Sequence, residues 1–538
     1  VAVVQISKIQ VRRGQKNSNS GVPQLSSAEF AWAVDSQELF IGNGAVAEGA
    51  PYVGNTKILT EHDDLLALAS SYQFASDDTS ISLSVPRTLQ GKLDEYVSIT
   101  DFGAVGDGST DCVSAFTTAF NELFKNVNEN YRKVLIVPNG EYLLTSGLAI
   151  PSGVILKGET QDGAVLNIGA NSIRFVTSTG LESAGFDSTN RPQNIEISNL
   201  TIKRVTGQLV LTGVANSTFD TVKFLGEYNL GNTVSSYTTE PAAVFWNNDL
   251  AGIKVDNINF NSCRFEANSI SVKCLQTVRF DTVVKFNSCK FFENDTGIYI
   301  SGVPQDTITK VYQGNFWQIK DCDFEEIAKQ AFKSTNGFGT QITESKFRIC
   351  GNNTGLAASP LESIVYFGEK TNNIVIDCTS DRFQAAGLTT SASTASVIEV
   401  YNGDKVSFID RNYAAIQKSD SFVPLAVFSA FNKYITVDYL LTLGEFSRSG
   451  KLHLTVGDGL SQVAITDNFQ YSTPLTTSFG GTLMTNFEFA AELRDNDDTT
   501  GDSTLSIDTV VLSYKNPLLA SGSAGAGGAI SFDITYGV

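Results

Sequence analysis

The chain has 538 residues, of which 42% are hydrophobic and 18% charged, the latter below the roughly 25% usual for soluble domains. Its 38 basic and 57 acidic residues leave a net charge of −19, which repels nucleic-acid phosphates and anionic bilayers, so nucleic acid is not an expected partner. No run of eighteen apolar residues occurs, so no membrane-inserted helix is expected.

Ser, Thr, Asn and 45 glycines stand where charge is missing, the composition of a turn-rich β protein. The length suggests about three or four domains. Of the seven cysteines none forms a CxxC pair, so no zinc, other metal or cofactor is expected, and nothing demands an oxidising compartment. The opening VAVVQISKIQVRRG lacks a secretory apolar core followed by a small-residue cleavage site, as expected of a protein assembled in a cytoplasm and freed by lysis.

Residues 1–60 read as a small β module. Ile6, Ile9 and Val11 precede Arg12-Arg13-Gly14, Phe30 to Val34 alternates, Asp35-Ser36 offers a turn, and Leu39-Phe40-Ile41 ends at Gly42-Asn43-Gly44. This is hairpin chemistry in a module too small for a substantial core, so completion by other copies of the chain is expected. Residues 61–95 form a connector, with a short helix suggested by Leu65, Leu66 and Leu68.

Residues 96–423 are expected to form a parallel β-helix. It starts with a Gly/Asp-rich turn, ITDFGAVGDGSTD (99–111), where Gly106-Asp107-Gly108 is read as a turn rather than a phosphate or metal site. A capping helix at about 111–125 follows, with Thr110 or Asp111 as N-cap and Ala115, Phe116, Ala119, Phe120, Leu123 and Phe124 on one face. Strands are expected at Val134–Val137, Tyr142–Leu144 and Val154–Leu156. Over 194–383 one pattern recurs, ending at Ile202, Phe224, Phe265, Phe291, Phe324 and Phe347, with a seventh copy at Phe383 carrying one inserted residue. Five positions before each end stand Ile197, Phe219, Phe260, Phe286, Ile319 and Ile342, and two before stand Leu200, Val222, Cys263, Cys289, Cys322 and Ser345. A fixed inner pattern with irregular spacing indicates a solenoid with variable loops, one copy per coil, like residues stacking about 4.8 Å apart. The thiols of Cys263, Cys289 and Cys322 then share an inward column.

Residues 424–538 change character. Leu452, Leu454 and Val456, then Phe487, Phe489, Ala491 and Leu493, then Ile530, Phe532, Ile534 and Tyr536 alternate with polar or small residues, the signature of antiparallel sheets in a β-sandwich.

KLDEYVSITDFGAVGDGSTD (92–111), its helix and VLIVPNGEYLL (134–144) resemble the start of the pectate-lyase-like right-handed β-helix of phage tailspikes. ISKIQVRRG (6–14) with ELFIGNG (38–44) resembles virion-proximal segments of phage tail fibres and tailspikes, except that Ala28 stands before Glu29 where many of those carry glycine. The resemblance implies a virion protein of the phage tail: a homotrimer attached at one end to tail or baseplate proteins. It also implies binding of a host surface polysaccharide for adsorption, often with cleavage by hydrolysis or elimination.

Histidine occurs only at His62 and His453, so no Ser-His-Asp or Cys-His device can form within the coils of one chain. The Asn-Thr-Asp strand, Asp pair and Gly-His-Gly of polygalacturonases are missing at suitable positions, which speaks against hydrolysis by that scheme. Stacked coils could still supply a carboxyl pair, and Glu266, Glu293, Asp295, Asp323, Glu325 and Glu326 lie near the coil ends; each is equally a residue of a surface turn. An outward column reads Thr201, Lys223, Arg264, Lys290, Asp323 and Lys346, with Arg382 in the seventh copy. This basic ladder is either a groove for an anionic glycan or a row neutralised by acidic neighbours such as Asp321 and Glu344. Trp246, Trp317, Tyr299, Tyr312 and Tyr366 lie in or beside loops and offer flat rings for sugars, with burial in the core as the alternative. Four functions remain open: a cleaving tailspike, a non-catalytic adhesin of the same shape, a structural virion part and, last, a cellular pectinase-like enzyme.

Overall fold

The computed structural model describes residues 11–17, 23–50, 53–60, 88–125, 133–180, 186–187, 190–229, 236–237, 239–247, 255–275, 283–301, 317–335, 339–351, 363–367, 373–383, 398–399, 405–416, 419–429, 434–443, 446–457, 463–472, 487–494, 509–516 and 528–537. Ile6, Ile9, the connector helix at Leu65 to Leu68, His62 and Tyr312 lie outside the described residues. Two compact units are present, Val1–Tyr96 and Val97–Val538.

In the first unit, strands Arg12–Gly14, Phe30–Ala33, Glu38–Gly42 and Asn55–Ile58 form one sheet in chain order. The first pair is parallel and the other two are antiparallel. Among the described residues its buried cluster is Leu25, Ala31, Ala33 and Phe40, while Phe30 and Val34 stay 42% and 54% exposed. The Glu38 carboxylate takes Lys16 at 2.6 Å and Lys57 at 2.7 Å. These bonds hold its pKa down at about 2. Ala28 is left-handed at φ 60°, the conformation that favours glycine.

In the second unit, the Gly/Asp-rich run differs from the expected turn: a 3-10 turn over Ile99–Phe102 leads into a short strand, Asp107–Asp111, whose register shifts between its ends. Gly108 is left-handed at φ 72°, and Asp107 accepts hydrogen bonds from the Ser109 and Thr110 amides and the Thr110 hydroxyl. The helix spans Val113–Leu123 and buries Ala115, Phe116, Ala119 and Phe120. Cys112, rather than Thr110 or Asp111, takes the N-cap position. Asp111 still helps from one residue further out, because its Oδ1 accepts from Val113 N at 3.3 Å and Thr145 N at 3.1 Å. The helix packs its phenyl rings against the first coils (Phe116 to Tyr142, 6.3 Å) and covers an open sheet end.

The expected fold class holds: a parallel β-helix, with a small N-terminal sheet and C-terminal antiparallel sheets. Each full coil supplies three short strands, defining faces A, B and C. One coil is Asp256–Asn261 on A, Arg264–Glu266 on B and Ile270–Leu275 on C. The next is Val284–Asn287, Lys290–Phe292 and Thr296–Ser301, followed by Trp317–Lys320, Asp323–Glu325 and Phe332–Ser334. From Glu196–Ser198 onward, each A strand turns into its B strand through one left-handed residue: Asn199, Thr221, Ser262, Ser288, Asp321, Glu344 and Asp377, all at φ 50–55°. This kink points the next residue inward, which is why a small apolar group (Leu200, Val222, Cys263, Cys289, Cys322) recurs there.

The sequence register is the structural register. Phe224, Phe265, Phe291, Phe324 and Phe347 are in-register partners, and their rings stack at 4.8, 4.7, 4.4 and 5.1 Å. The seventh copy differs from expectation. Ile342 pairs with Val375, Lys346 with Thr379 and Phe347 with Ser380, so the copy ends at Ser380 without an insertion. Phe383 and Arg382 lie beyond it, opposite Tyr413 and Asn412. Cys378 thereby joins the inward thiol column, and all seven cysteines are buried.

Ile374–Phe383 runs along both A and B and pairs in parallel with Lys405–Ile416. That strand pairs antiparallel with Gly528–Gly537, and the sheet continues through Tyr434–Leu443, Phe446–Val456 and Val463–Ser472. A second sheet holds Ser419–Ser429, Thr509–Asn516 and Glu488–Arg494. Strand Ser419–Ser429 crosses the division expected between 423 and 424. Leu452, Leu454, Ile534 and Tyr536 face Phe428, Val510 and Leu512 in one core that continues into the β-helix. Between the sheets, Arg448 is 1% exposed; it ion-pairs with Asp467 and donates to the Tyr439 hydroxyl and the Phe487 carbonyl, each at 2.8 Å.

Candidate functional site

Face B carries the ladder as expected: Thr201, Lys223, Arg264, Lys290, Asp323 and Lys346 are successive in-register partners. Its neutralisation comes from a different column than expected. Glu266, two residues after Arg264, ion-pairs with Arg264 and takes Lys223 at 2.8 Å. Glu325 takes Lys290 at 2.9 Å and Arg348 at 3.0 Å, and Asp323 takes Arg348 at 2.6 Å. Asp162 adds a contact to Lys223 at 3.3 Å. Of the acids expected to do this, Glu344 pairs with Lys320 and Asp321 accepts from Ser288. Side chains i and i+2 of a strand share a face, which lets Glu266 meet Arg264 on its own strand, while Lys223 and Lys290 find their acids one coil further on. Glu266, Asp323 and Glu325 are thus partners of the ladder, and the face is a woven set of ion pairs rather than an open basic groove.

Trp246 and Trp317 are corrected from surface platforms to core. Both are 0% exposed and stack on one another at 5.2 Å. Each sits at an inward position of its strand (Trp246 on C, Trp317 on A), where a large ring bridges the coil interior. Glu293 and Glu326 occupy left-handed corners after their B strands, at φ 53° and 54°, half-buried and one coil apart.

Next to these corners the structure brings together residues that the repeat alignment left scattered. Asn268, Asn294 and Asp295 follow the B strands and are 0%, 0% and 1% exposed. Asn268 donates to the Phe224 and Glu266 carbonyls, and its amide N–H donates to Asn294 Oδ1 at 2.8 Å. Arg204, 2% exposed, donates to Asn268 Oδ1 and to the Gly207 and Pro241 carbonyls. Burial pushes its pKa down to about 10, which leaves it charged at neutral pH. Asp295 Oδ1 accepts from the Thr296 hydroxyl, and Oδ2 accepts from the Tyr228 hydroxyl at 3.3 Å with Lys329 Nζ at 3.8 Å.

The segment after Phe224 lies over this corner. Gly226 starts it, and a Cβ there would stand 2.2 Å from the Ala267 carbonyl oxygen, so only glycine lets the chain leave between coils. Tyr237 donates to Gln330 Oε1 at 2.8 Å and stacks on Tyr299 at 4.9 Å. Lys273 donates to the Glu240 carbonyl. Tyr299 belongs to an outward column on face C that reads Phe245, Lys273, Tyr299, Lys333 and Tyr366. Lys333 Nζ lies 4.5 Å from the Tyr237 ring centroid and 5.3 Å from that of Tyr366; Lys329 stands 5.4 Å from Tyr237. Tyr237, Lys333 and Tyr366 are each half-buried, so part of each faces solvent. The arrangement is a row of flat rings with ammonium groups between them, above a buried carboxylate. Rings can cover the apolar faces of sugars, and the ammonium and amide groups can hydrogen-bond their oxygens.

Of the expected site residues, Asp295, Tyr299 and Tyr366 fall in this cluster; Tyr228, Tyr237, Lys329, Gln330 and Lys333 were missed. The signal was a third column per coil, obscured because the spacing from the aligned phenylalanine changes from coil to coil.

A stack of short parallel strands, coil upon coil, defines a pectate-lyase-like β-helix. Residues 96–380 match the family described as rhamnogalacturonase A/epimerase, pectate lyase-like, and the chain belongs to it. It is 29% identical over 173 residues to a capsule K30/K69-specific depolymerase of Klebsiella phage K64-1, a match covering 30% of this chain and 22% of that protein. Among solved structures it resembles Geobacillus virus E2 ORF18 (15% identity, 87% of this chain and 91% of that one, TM-score 0.35). It also resembles the tailspike gp49 of Acinetobacter baumannii phage Fri1, a capsular polysaccharide depolymerase (11%, 98% and 98%, 0.24).

Proposed function

We propose that the chain is part of a phage tailspike that engages a host surface polysaccharide along face C, at Tyr237, Lys333 and Tyr366, with the buried Tyr299 backing the Tyr237 ring. The observation that carries the reading is the ring–ammonium column itself. Family membership and the likeness to a phage capsule depolymerase support a glycan as the ligand. The small N-terminal core, with Phe30 and Val34 outside it, supports assembly of that unit with other copies in a homotrimer and attachment there to tail or baseplate proteins.

Binding without cleavage is the form the geometry favours. Both oxygens of Asp295 are occupied within the protein, by Thr296, Tyr228 and Lys329, and at 1% exposure it stands behind the rings as an anchor. Cleavage with Asp295 as acid or base is the second reading, favoured by its position beneath that surface. Incubation of the full chain with the host's capsular polysaccharide, following reducing ends and unsaturated-uronate absorbance together, decides between them. The binding reading expects neither signal while the glycan is retained. Reducing ends alone, abolished in Asp295→Asn, establish hydrolysis, and both signals rising establish elimination.

A further inference from the structure

The outer face of the larger sandwich sheet carries a second concavity, far along the chain from the coils. It is an open depression of about 610 Å³ across four adjacent strands, within the roughly 300–1,000 Å³ range of ligand sites. Its side chains follow from register. Asp438 is the cross-strand partner of both Lys451 and Asp533, Leu440 of Ser531, and Lys451 of Asn468. Asp438 and Lys451 are joined at 3.1 Å and are each about half exposed. Two features set this face apart from an ordinary solvated sheet. Two carboxylates stand directly opposite on neighbouring strands, an arrangement that repels unless hydroxyl or ammonium donors come between. At its floor, Gly450 is required by close approach: a Cβ there would stand 2.6 Å from the Tyr439 hydroxyl and 2.8 Å from the Asn468 carbonyl oxygen. The strand under the depression is thus held from below by the Tyr439–Arg448–Asp467 cluster.

We propose that this face is a separate binding site for a neutral, hydroxyl-rich saccharide. The carboxylates of Asp438 and Asp533 accept from sugar hydroxyls, Lys451, Asn468 and Ser531 donate to sugar oxygens, and Leu440, 46% exposed, meets a C–H face. Charge and side-chain chemistry select the class. Two acids against one lysine, on a chain of net charge −19, repel a polyanion, and the mix of hydroxyl, amide and carboxylate groups around the exposed Leu440 matches the O–H and C–H groups of a polyol. The site shares no residue with face C, so it stands or falls independently of the reading proposed there.

The test is saturation-transfer difference NMR on the full chain with maltohexaose, cellohexaose and a β-galactan oligomer, repeated with excess sodium polygalacturonate. The proposal expects transfer from the protein to at least one neutral probe, undiminished by the polyanion. It expects a loss of at least about fivefold in Asp533→Ala and in Ser531→Trp, which fills the depression. The Tyr366→Ala variant is expected to leave that transfer unchanged. Absence of transfer to all three probes overturns the proposal, as does transfer that both sandwich variants leave intact. A fall in molecular mass of Ser531→Trp by light scattering, with its circular dichroism unchanged, also overturns it, because the face is then a contact between copies of the chain.

Discussion

Trp246 and Trp317 show what a single residue's context decides. The sequence places both beside long intervals between coils, where a ring can serve a sugar or a core equally well. The strand parity decides, since each stands at an inward position and the two rings meet at 5.2 Å. Trp317→Ala is expected to cost about 3–5 kcal/mol, the cost of emptying a core position of a large aromatic, read from the urea midpoint. Glu38 gives the clearest pH effect. Its folded pKa of about 2 lies below its ordinary 4.5 because it accepts from Lys16 and Lys57. A depressed acid stabilises the fold above its unfolded pKa, so this contribution is present above pH 4.5 and is lost as pH falls from there through about 2. Amide protection factors over residues 30–50 and 53–58, taken against the intrinsic exchange rate at each pH, should fall across that window, and Glu38→Gln should weaken the dependence, leaving the smaller share of Glu29 and Asp35, whose pKa values are also lowered.

At the scale of the element, what the sequence shows well is what repeats in fixed register. The inward phenylalanines and cysteines were legible because left-handed corners at Thr221, Ser262, Ser288 and Asp321 keep the A-to-B step constant in length. The B-to-C step is not constant: after Phe224 the chain makes an excursion through Tyr228, Tyr237 and Glu240 before reaching Ala242–Asn247. The column Lys273, Tyr299, Lys333 and Tyr366 therefore had no readable period. The ladder's counter-charges were misplaced for a related reason. An alignment shows which charges stack, whereas pairing Glu266 with Lys223 requires side-chain reach between coils. The thiol column makes a direct prediction. Burial raises Cys378 to about 12 and holds Cys289 and Cys322 well above the ordinary range, so these groups stay protonated and shielded at pH 8. Ellman's reagent should react with fewer than one thiol per native chain and with all seven in guanidinium.

Across the whole molecule, strands of one β-helix continue into the sandwich through Ile374–Phe383 and Lys405–Ile416, and one apolar core spans both. This continuity supports a rigid body from the capping helix to the last strand, on which the two faces proposed to bind saccharide are held. Cooperative unfolding of both parts should follow: Trp317→Ala in the coils and Arg448→Ala between the sandwich sheets should each lower the same single calorimetric transition of the second unit. Two separated transitions would mean that the shared core does not couple them.

Face C is proposed to hold a host polysaccharide. The most direct measurement is retention of the host's capsular polysaccharide by the immobilised full chain, comparing wild type with Lys333→Ala, Tyr366→Ala and the face-B control Lys290→Ala. Retention by the wild type is expected, with at least about a tenfold weakening (about 1.4 kcal/mol) in each face-C variant and little change in Lys290→Ala. Equal retention by all four proteins, or a loss confined to Lys290→Ala, would contradict it.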